Sequence, residues 1–101
     1  MTNLCIAREF LPSVREGKKT STIRKGIRQL DLGPAVLTSG GEFATVRITR
    51  VSHTSLALLT EDDAKRDGFK TLADLNAALK RFYPTIDSLA PVTIISFRVV
   101  R

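Results

Sequence analysis

Apolar residues along this chain are spaced by two in some stretches and by three or four in others, and each change of spacing marks an element. Asn3 to Ala7 reads as a short first strand. Phe10, Leu11 and Val14 then recur at helical spacing, with Pro12 where a first turn tolerates it and Gly17 able to take the left-handed conformation that stops a helix. From Thr20 a period of two sends Thr20, Thr22 and Arg24 to one face and Ser21 and Ile23 to the other. Ile23 is the only sizeable apolar anchor there, so it is expected to hold this strand to the core while Thr22 and Arg24 face a cleft. Lys25 to Gly33 is polar and basic and reads as a surface loop.

Pro34 forbids a helix interior, and Ala35 to Thr38 looks like a strand closed by the turn signal Ser39-Gly40-Gly41. Phe43 to Val51 alternates, with Ala44, Val46 and Ile48 opposed to Thr45, Arg47 and Thr49, so the two segments form a hairpin. Thr60 ahead of Glu61, Asp62 and Asp63 is a helix start, because a hydroxyl caps free amides and acids suit the positive end of the helix dipole. Gly68 ends that helix. Thr71 opens a second, whose Leu72, Leu75, Ala78, Leu79 and Phe82 share one face until Tyr83-Pro84 stops it. Val92 to Val100 is the last strand, with Ile95, Phe97 and Val99 on one side. The pattern predicts one α+β domain over residues 1–101: a small, mostly antiparallel barrel or curled sheet with short helices between strands, around a single modest core.

Composition narrows the chemistry. Apolar residues make up 43% of the 101, which is globular and not disordered. No run approaches the roughly 18 apolar residues of a membrane span, and the first nine residues lack a basic-then-apolar signal layout, so a cytoplasmic location is expected. Cys5 and His53 are the only residues of their kinds, which leaves neither a disulfide nor a plausible zinc set, and no metal or other cofactor is expected. Cys5, between Leu4 and Ile6, reads as a buried small hydrophobe, and His53 as a surface or strand-end residue.

The net charge of +6 and a pI near 10.1 carry more information. Arg15, Lys18, Lys19, Arg24, Lys25 and Arg28 are crowded into residues 15–28 against the single acid Glu16. Such a cluster suits a phosphate backbone, and equally a soluble basic surface.

The stretch Gly17-Lys18-Lys19-Thr20-Ser21-Thr22-Ile23-Arg24, preceded by the short Phe10 to Glu16 helix, resembles the signature of the ASCH domain, a small β-barrel related to the PUA RNA-binding domains. The likeness continues through Leu59 to Ala64, Asp67-Gly68-Phe69, Leu72 to Leu79, Phe82-Tyr83-Pro84 and a closing strand ending in Phe97 and Val99, nearly the whole chain. Among single-domain members the layout is most similar to small bacterial amidohydrolases that act on N4-acetylcytidine through a lysine, a threonine and a glutamate. The resemblance places the lysine at Lys19, the threonine at Thr22 and the motif arginine at Arg24. The glutamate falls on Asp67, one methylene shorter, with Glu61 and Asp63 as the other acids at hand.

What the resemblance implies is chemically coherent. A threonine hydroxyl attacks an amide only with a base in hydrogen-bond reach, and a lysine serves as that base only if burial or neighbouring cations lower its pKa. Arg24 would hold a carbonyl, phosphate or developing oxyanion, with Lys18, Lys25 and Arg28 as further phosphate contacts. The expected partner is therefore a modified nucleoside or RNA, and the expected activity is amide hydrolysis on an N4-acylated cytidine-type nucleoside. The alternatives are a metal-independent ribonuclease and an RNA-binding module using the same cleft. Neither Tyr83 nor Phe69, the aromatic candidates in polar surroundings, reads as an ordinary stacking platform. Whether the residue 25–33 loop closes over a ligand, and whether the last strand pairs with a second copy, stay open.

Overall fold

The computed structural model describes residues 1–100. Strands β1 (Thr2–Cys5), β2 (Ser21–Lys25), β3 (Gly33–Ser39), β4 (Glu42–Ser55) and β5 (Pro91–Val99) form one curled sheet in the order β1-β3-β4-β5-β2. Helix α1 (Leu11–Arg15), entered through a 3₁₀ turn at Arg8–Phe10, lies between β1 and β2; α2 (Glu61–Arg66) and α3 (Leu72–Phe82) lie between β4 and β5. All pairings are antiparallel except β1 with β3, where Leu4 stands beside Leu37. The sheet is a half-barrel, with β1 and β2 as its free edges.

Alternation fixes what each strand buries. Ala35 and Leu37 on β3, Ala44, Val46 and Ile48 on β4, and Ile95 and Phe97 on β5 meet Leu4, Leu11 and Val14 inside the curl. A second cluster lies under the helices: Ile23, Leu56, Leu59, Ala64, Leu75, Leu79, Ile86, Ala90 and Val92. The expectation of one core is thus corrected to two. The β2–β5 half of the sheet is covered on both faces, so Ile95 packs inward while Val92 packs against the helical layer.

Both helix starts are capped as the sequence predicts. The Asp63 amide donates to Thr60 Oγ1 at 3.1 Å while the Asp63 carboxylate accepts from the Thr60 amide at 2.9 Å, and the Asp74 amide donates to Thr71 Oγ1 at 3.1 Å. Strand β4 runs four residues past Val51, because the long β5 offers partners to Ser52, His53, Thr54 and Ser55. It bends at an irregularity between Ile48 and Arg50. β5 lies between β4 and β2 and is not the exposed strand considered above. No helix among the described residues is long and apolar enough to cross a membrane.

The connection between β2 and β3 packs onto β5. The Thr93 hydroxyl, fully buried, donates to the Gly26 carbonyl at 2.7 Å and accepts from the Arg28 amide at 2.9 Å, and His53 Nε2 lies 2.9 Å from the Arg28 carbonyl.

A buried lysine–aspartate pair in an aromatic cavity

Lys19 lies just ahead of β2 in a segment held from two sides. Its amide donates to the Ser13 carbonyl at 3.1 Å, and the next amide, of Thr20, donates to the Arg66 carbonyl at 2.7 Å. The chain leaving α2 therefore passes directly over Lys19. There Asp67 caps the helix and Gly68 turns away with φ +91°, its Cα so close that an added Cβ would stand 3.4 Å from Lys19 Cβ. Lys19 Nζ donates to both the Asp67 carboxylate and, at 2.9 Å, the Asp67 carbonyl, and sits 4.8 Å from the centre of the Phe10 ring. The shorter aspartate side chain meets the lysine in full. Both residues are almost completely buried.

Burial dominates the electrostatics. It pushes the Lys19 ammonium below its ordinary value against the attraction of Asp67, with Arg24 adding to the downward push. It pushes the Asp67 carboxyl up to about 6, against the charge and hydrogen bond of Lys19 and the charge of Arg24. The two shifts agree in sense: desolvation outweighs mutual attraction on each side, which narrows the gap between the ion pair and its neutral form.

The pair forms one wall of a cavity of about 280 Å³ at the seam between β1 and β2. Thr22 and Arg24 line it from β2, Cys5, Ile6 and Ala7 from β1 and the segment after it, and Leu75, Ala78 and Leu79 from α3. Phe10, Phe69, Phe82 and Tyr83 supply aromatic walls, with Phe10 edge-on to Phe69 at 5.7 Å and to Phe82 at 6.5 Å between ring centres. Thr22 is only 6% exposed; the buried hydroxyl without a hydrogen-bond partner on this strand is Ser21 Oγ. Arg24 crosses the seam, Nη2 donating to the Cys5 carbonyl at 2.6 Å, and burial lowers its pKa against the opposing influence of Tyr83.

Lys19, Thr22, Arg24 and Asp67 thus share one cavity. Lys18, Lys25 and Arg28 do not line it: Lys18 pairs with Glu16 at 3.1 Å on the surface, and Arg28 Nε donates to the Lys25 carbonyl at 3.4 Å. The alternative acids serve local structure, Glu61 accepting from the Leu72 amide at 2.9 Å and Asp63 completing the α2 cap. One sequence reading is corrected. Cys5 is exposed, because β1 is an edge strand that turns only Leu4 into the core. Phe69 and Tyr83 pack against the helical core, as read from the sequence, and also line the cavity with Phe10 and Phe82; four rings from three separate stretches leave no local signature of that wall. No residue between 26 and 32 lines the cavity.

The arrangement offers a hydroxyl, an amine of lowered basicity in contact with a carboxylate, and a guanidinium, all within apolar walls. No group of three or more His, Cys, Asp and Glu side chains among the described residues is placed to hold a metal.

No family model matches the chain, and no curated protein matches it. Solved structures match its fold. The ASCH domain from Lactobacillus crispatus superposes with a TM-score of 0.80 at 19% identity, over 97% of this chain and 79% of that one. A point variant of the ASCH protein from Zymomonas mobilis gives 0.69 at 14% identity, over 98% of this chain and 71% of that one. A hypothetical protein aligned over 97% of both chains gives 0.73 at 15% identity. The fold is the ASCH-like half-barrel, a small α+β sheet with short helices.

Proposed function

We propose that this protein hydrolyses the amide of an N4-acylated cytidine-type nucleoside. The observation that carries the reading is that Thr22 and Lys19, an amine whose basicity burial lowers, line the same aromatic cavity. Its volume, about 280 Å³, lies at the lower edge of the roughly 300–1,000 Å³ usual for small-molecule sites. Flat rings suit a nucleobase, and the seam-spanning Arg24 suits its carbonyl groups.

In this reading Thr22 Oγ1 attacks the acyl carbon while neutral Lys19 Nζ takes the hydroxyl proton. Collapse of the tetrahedral intermediate breaks the C–N bond as Lys19 returns that proton to N4, freeing the cytidine-type amine and leaving an acyl ester on Thr22. Water then attacks the ester with Lys19 again as base, giving the carboxylic acid and the free hydroxyl. Arg24 donates to the oxyanion in both halves, and Asp67 fixes the direction of the Lys19 amine.

The test is cytidine release from N4-acetylcytidine, followed chromatographically. Thr22→Val, which keeps shape and removes the nucleophile, and Lys19→Ala should each reduce turnover by about 10³-fold. Replacing Lys18, Lys25 and Arg28 together by glutamine should leave it within about twofold, since exposed charges outside a cavity contribute little to a neutral substrate. A folded wild-type protein that releases no cytidine overturns the proposal. If it instead binds single-stranded RNA in a salt-dependent way that the triple variant loses, the site serves a phosphodiester chain.

A further inference from the structure

The helical layer covers the outer face of the sheet over Ile23, Val92 and Ile94, on β2 and the first half of β5. Beyond it, β4 turns Phe43, Thr45 and Arg47 outward, in alternation with the buried Ala44, Val46 and Ile48. Arg98 of β5 stands directly across from Arg47. Past the irregularity in β4, Arg50 stands across from Ser96, which shares the outer face with Arg98. All three arginines are exposed, and none pairs with a carboxylate among the described residues. The one acid of β4, Glu42, is already held by Arg8 at 3.2 Å. Like charges directly opposite one another in a sheet repel and are unfavourable. An anion set between Arg47 and Arg98 turns that repulsion into attraction. On the same face the Phe43 ring is 61% exposed, and Arg15 Nη2 donates to the Phe43 carbonyl at 3.1 Å.

We infer that this outer face binds a single strand of nucleic acid, with phosphates at Arg47, Arg98 and Arg50 and one unpaired base on the Phe43 ring. Guanidinium groups present planar, permanently charged donors that match phosphate oxygens. Phe43 and Arg47 are four residues apart on one strand, about 14 Å, so a few nucleotides reach both. The ring decides among polyanions. A duplex keeps its base faces stacked on one another, and an acidic peptide brings charge without a flat base, whereas a single strand brings phosphates and free base faces together. Phe43, Arg47, Arg50 and Arg98 do not line the cavity, so the inference stands apart from the amidohydrolase reading.

The probe is a fluorescein-labelled oligouridylate of about twelve nucleotides, followed by anisotropy from about 50 to 200 mM salt. It carries no cytosine or acylated base, the ligand proposed for the cavity. Wild type should bind it, more weakly as salt rises. Arg47→Gln with Arg98→Gln should reduce the steepness of log K against log salt by about 1.4, at about 0.7 for each phosphate contact of a single strand. Phe43→Ala should lower affinity by about five- to a hundredfold and leave that slope unchanged, which separates stacking from charge. Replacing Lys18, Lys25 and Arg28 together by glutamine should keep the wild-type slope. No binding by folded wild type at about 50 mM salt overturns the inference. So does a double variant with the wild-type slope, or a loss confined to the Lys18, Lys25 and Arg28 variant. Duplex RNA that competes as well as the single strand also overturns it. Polyglutamate that displaces the probe equally well per charge would assign the face to an acidic protein instead.

Discussion

Replacing Asp67 by asparagine isolates what the buried pair does for the fold. The amide occupies nearly the same space, so packing against Lys19 is kept, but the ammonium loses its counter-charge in a site that excludes water. Breaking a buried pair from one side typically costs about 3–5 kcal/mol. A lysine can escape part of that penalty by releasing its proton. From an unfolded pKa near 10.5 the cost of doing so at pH 7 is 1.36 kcal/mol for each of 3.5 units, about 4.8 kcal/mol, which bounds the charge effect from above. Once folded Lys19 is neutral, the unfolded chain binds one proton more than the folded one. Stability of the variant should then rise with pH, by about 1.4 kcal/mol per unit up to pH 9 and less steeply as 10.5 is approached. Urea unfolding at pH 7 and pH 9 measures this: the deficit against wild type should be about 3–5 kcal/mol at pH 7 and shrink by about 2–3 kcal/mol at pH 9. The pair replacement Lys19→Met with Asp67→Leu removes both charges together and should be far less damaging than Asp67→Asn alone. A single variant as stable as wild type, or a deficit that does not change with pH, would refute the claim that Lys19 is a desolvated cation held by Asp67.

Two further outcomes follow from the same corner of the molecule. Because burial holds the Asp67 carboxyl near 6 in the folded state, against 3.8 as its ordinary value, the folded protein keeps a proton between about pH 4 and 6 that the unfolded chain has released. Stability contributed by this group therefore falls as pH rises through that window, by about 3 kcal/mol in all, and is level above it; the difference between wild type and the Lys19→Met/Asp67→Leu pair variant, which lacks both titrating groups, in urea titrations across pH 4–7 should show the slope, and no difference in slope would count against it. Gly68→Ala should destabilise by about 1–2 kcal/mol, because φ +91° is unfavourable for any residue with a Cβ, while the new methyl would meet Lys19 only at ordinary contact distance; thermal unfolding checks it, and a neutral effect would show that this turn can relax.

The strands and helix starts were legible because they depend on local order. Alternation identified Ala44, Val46 and Ile48 as one face, and all three are buried; hydroxyl caps marked Thr60 and Thr71, and both accept the expected amides. What escaped was set by distant partners. Ser52 to Ser55 look like the polar end of a strand but stay in the ladder because β5 is long. Cys5 has apolar neighbours in sequence, yet it lies on an edge whose outer face no other element covers, so its surroundings were invisible to a local reading. Lys19 and Asp67 are 48 residues apart, and nothing in their spacing connects them; the family resemblance did. The loop after β2 also looked free, and a single buried hydroxyl, Thr93, ties it down by two hydrogen bonds.

The position of the cavity bears on what it can hold. A sheet that closed fully would join β1 to β2 through a ladder of backbone hydrogen bonds, but here Arg24 reaches across to the Cys5 carbonyl and the space beside it remains open. Around that opening the walls are rings and leucine side chains, and the charged groups inside sum to roughly one positive charge, since Lys19 and Asp67 offset each other. A phosphodiester chain gains affinity by accumulating contacts along its length. The cations that would provide them, Lys18, Lys25 and Arg28, lie outside the cavity, and Lys18 is already paired with Glu16. A flat, uncharged base with one polar edge gains in the opposite way, by burying its faces and meeting a few fixed donors. This contrast between apolar walls inside and cations outside is what the proposal of a single modified base, and not a strand, draws on.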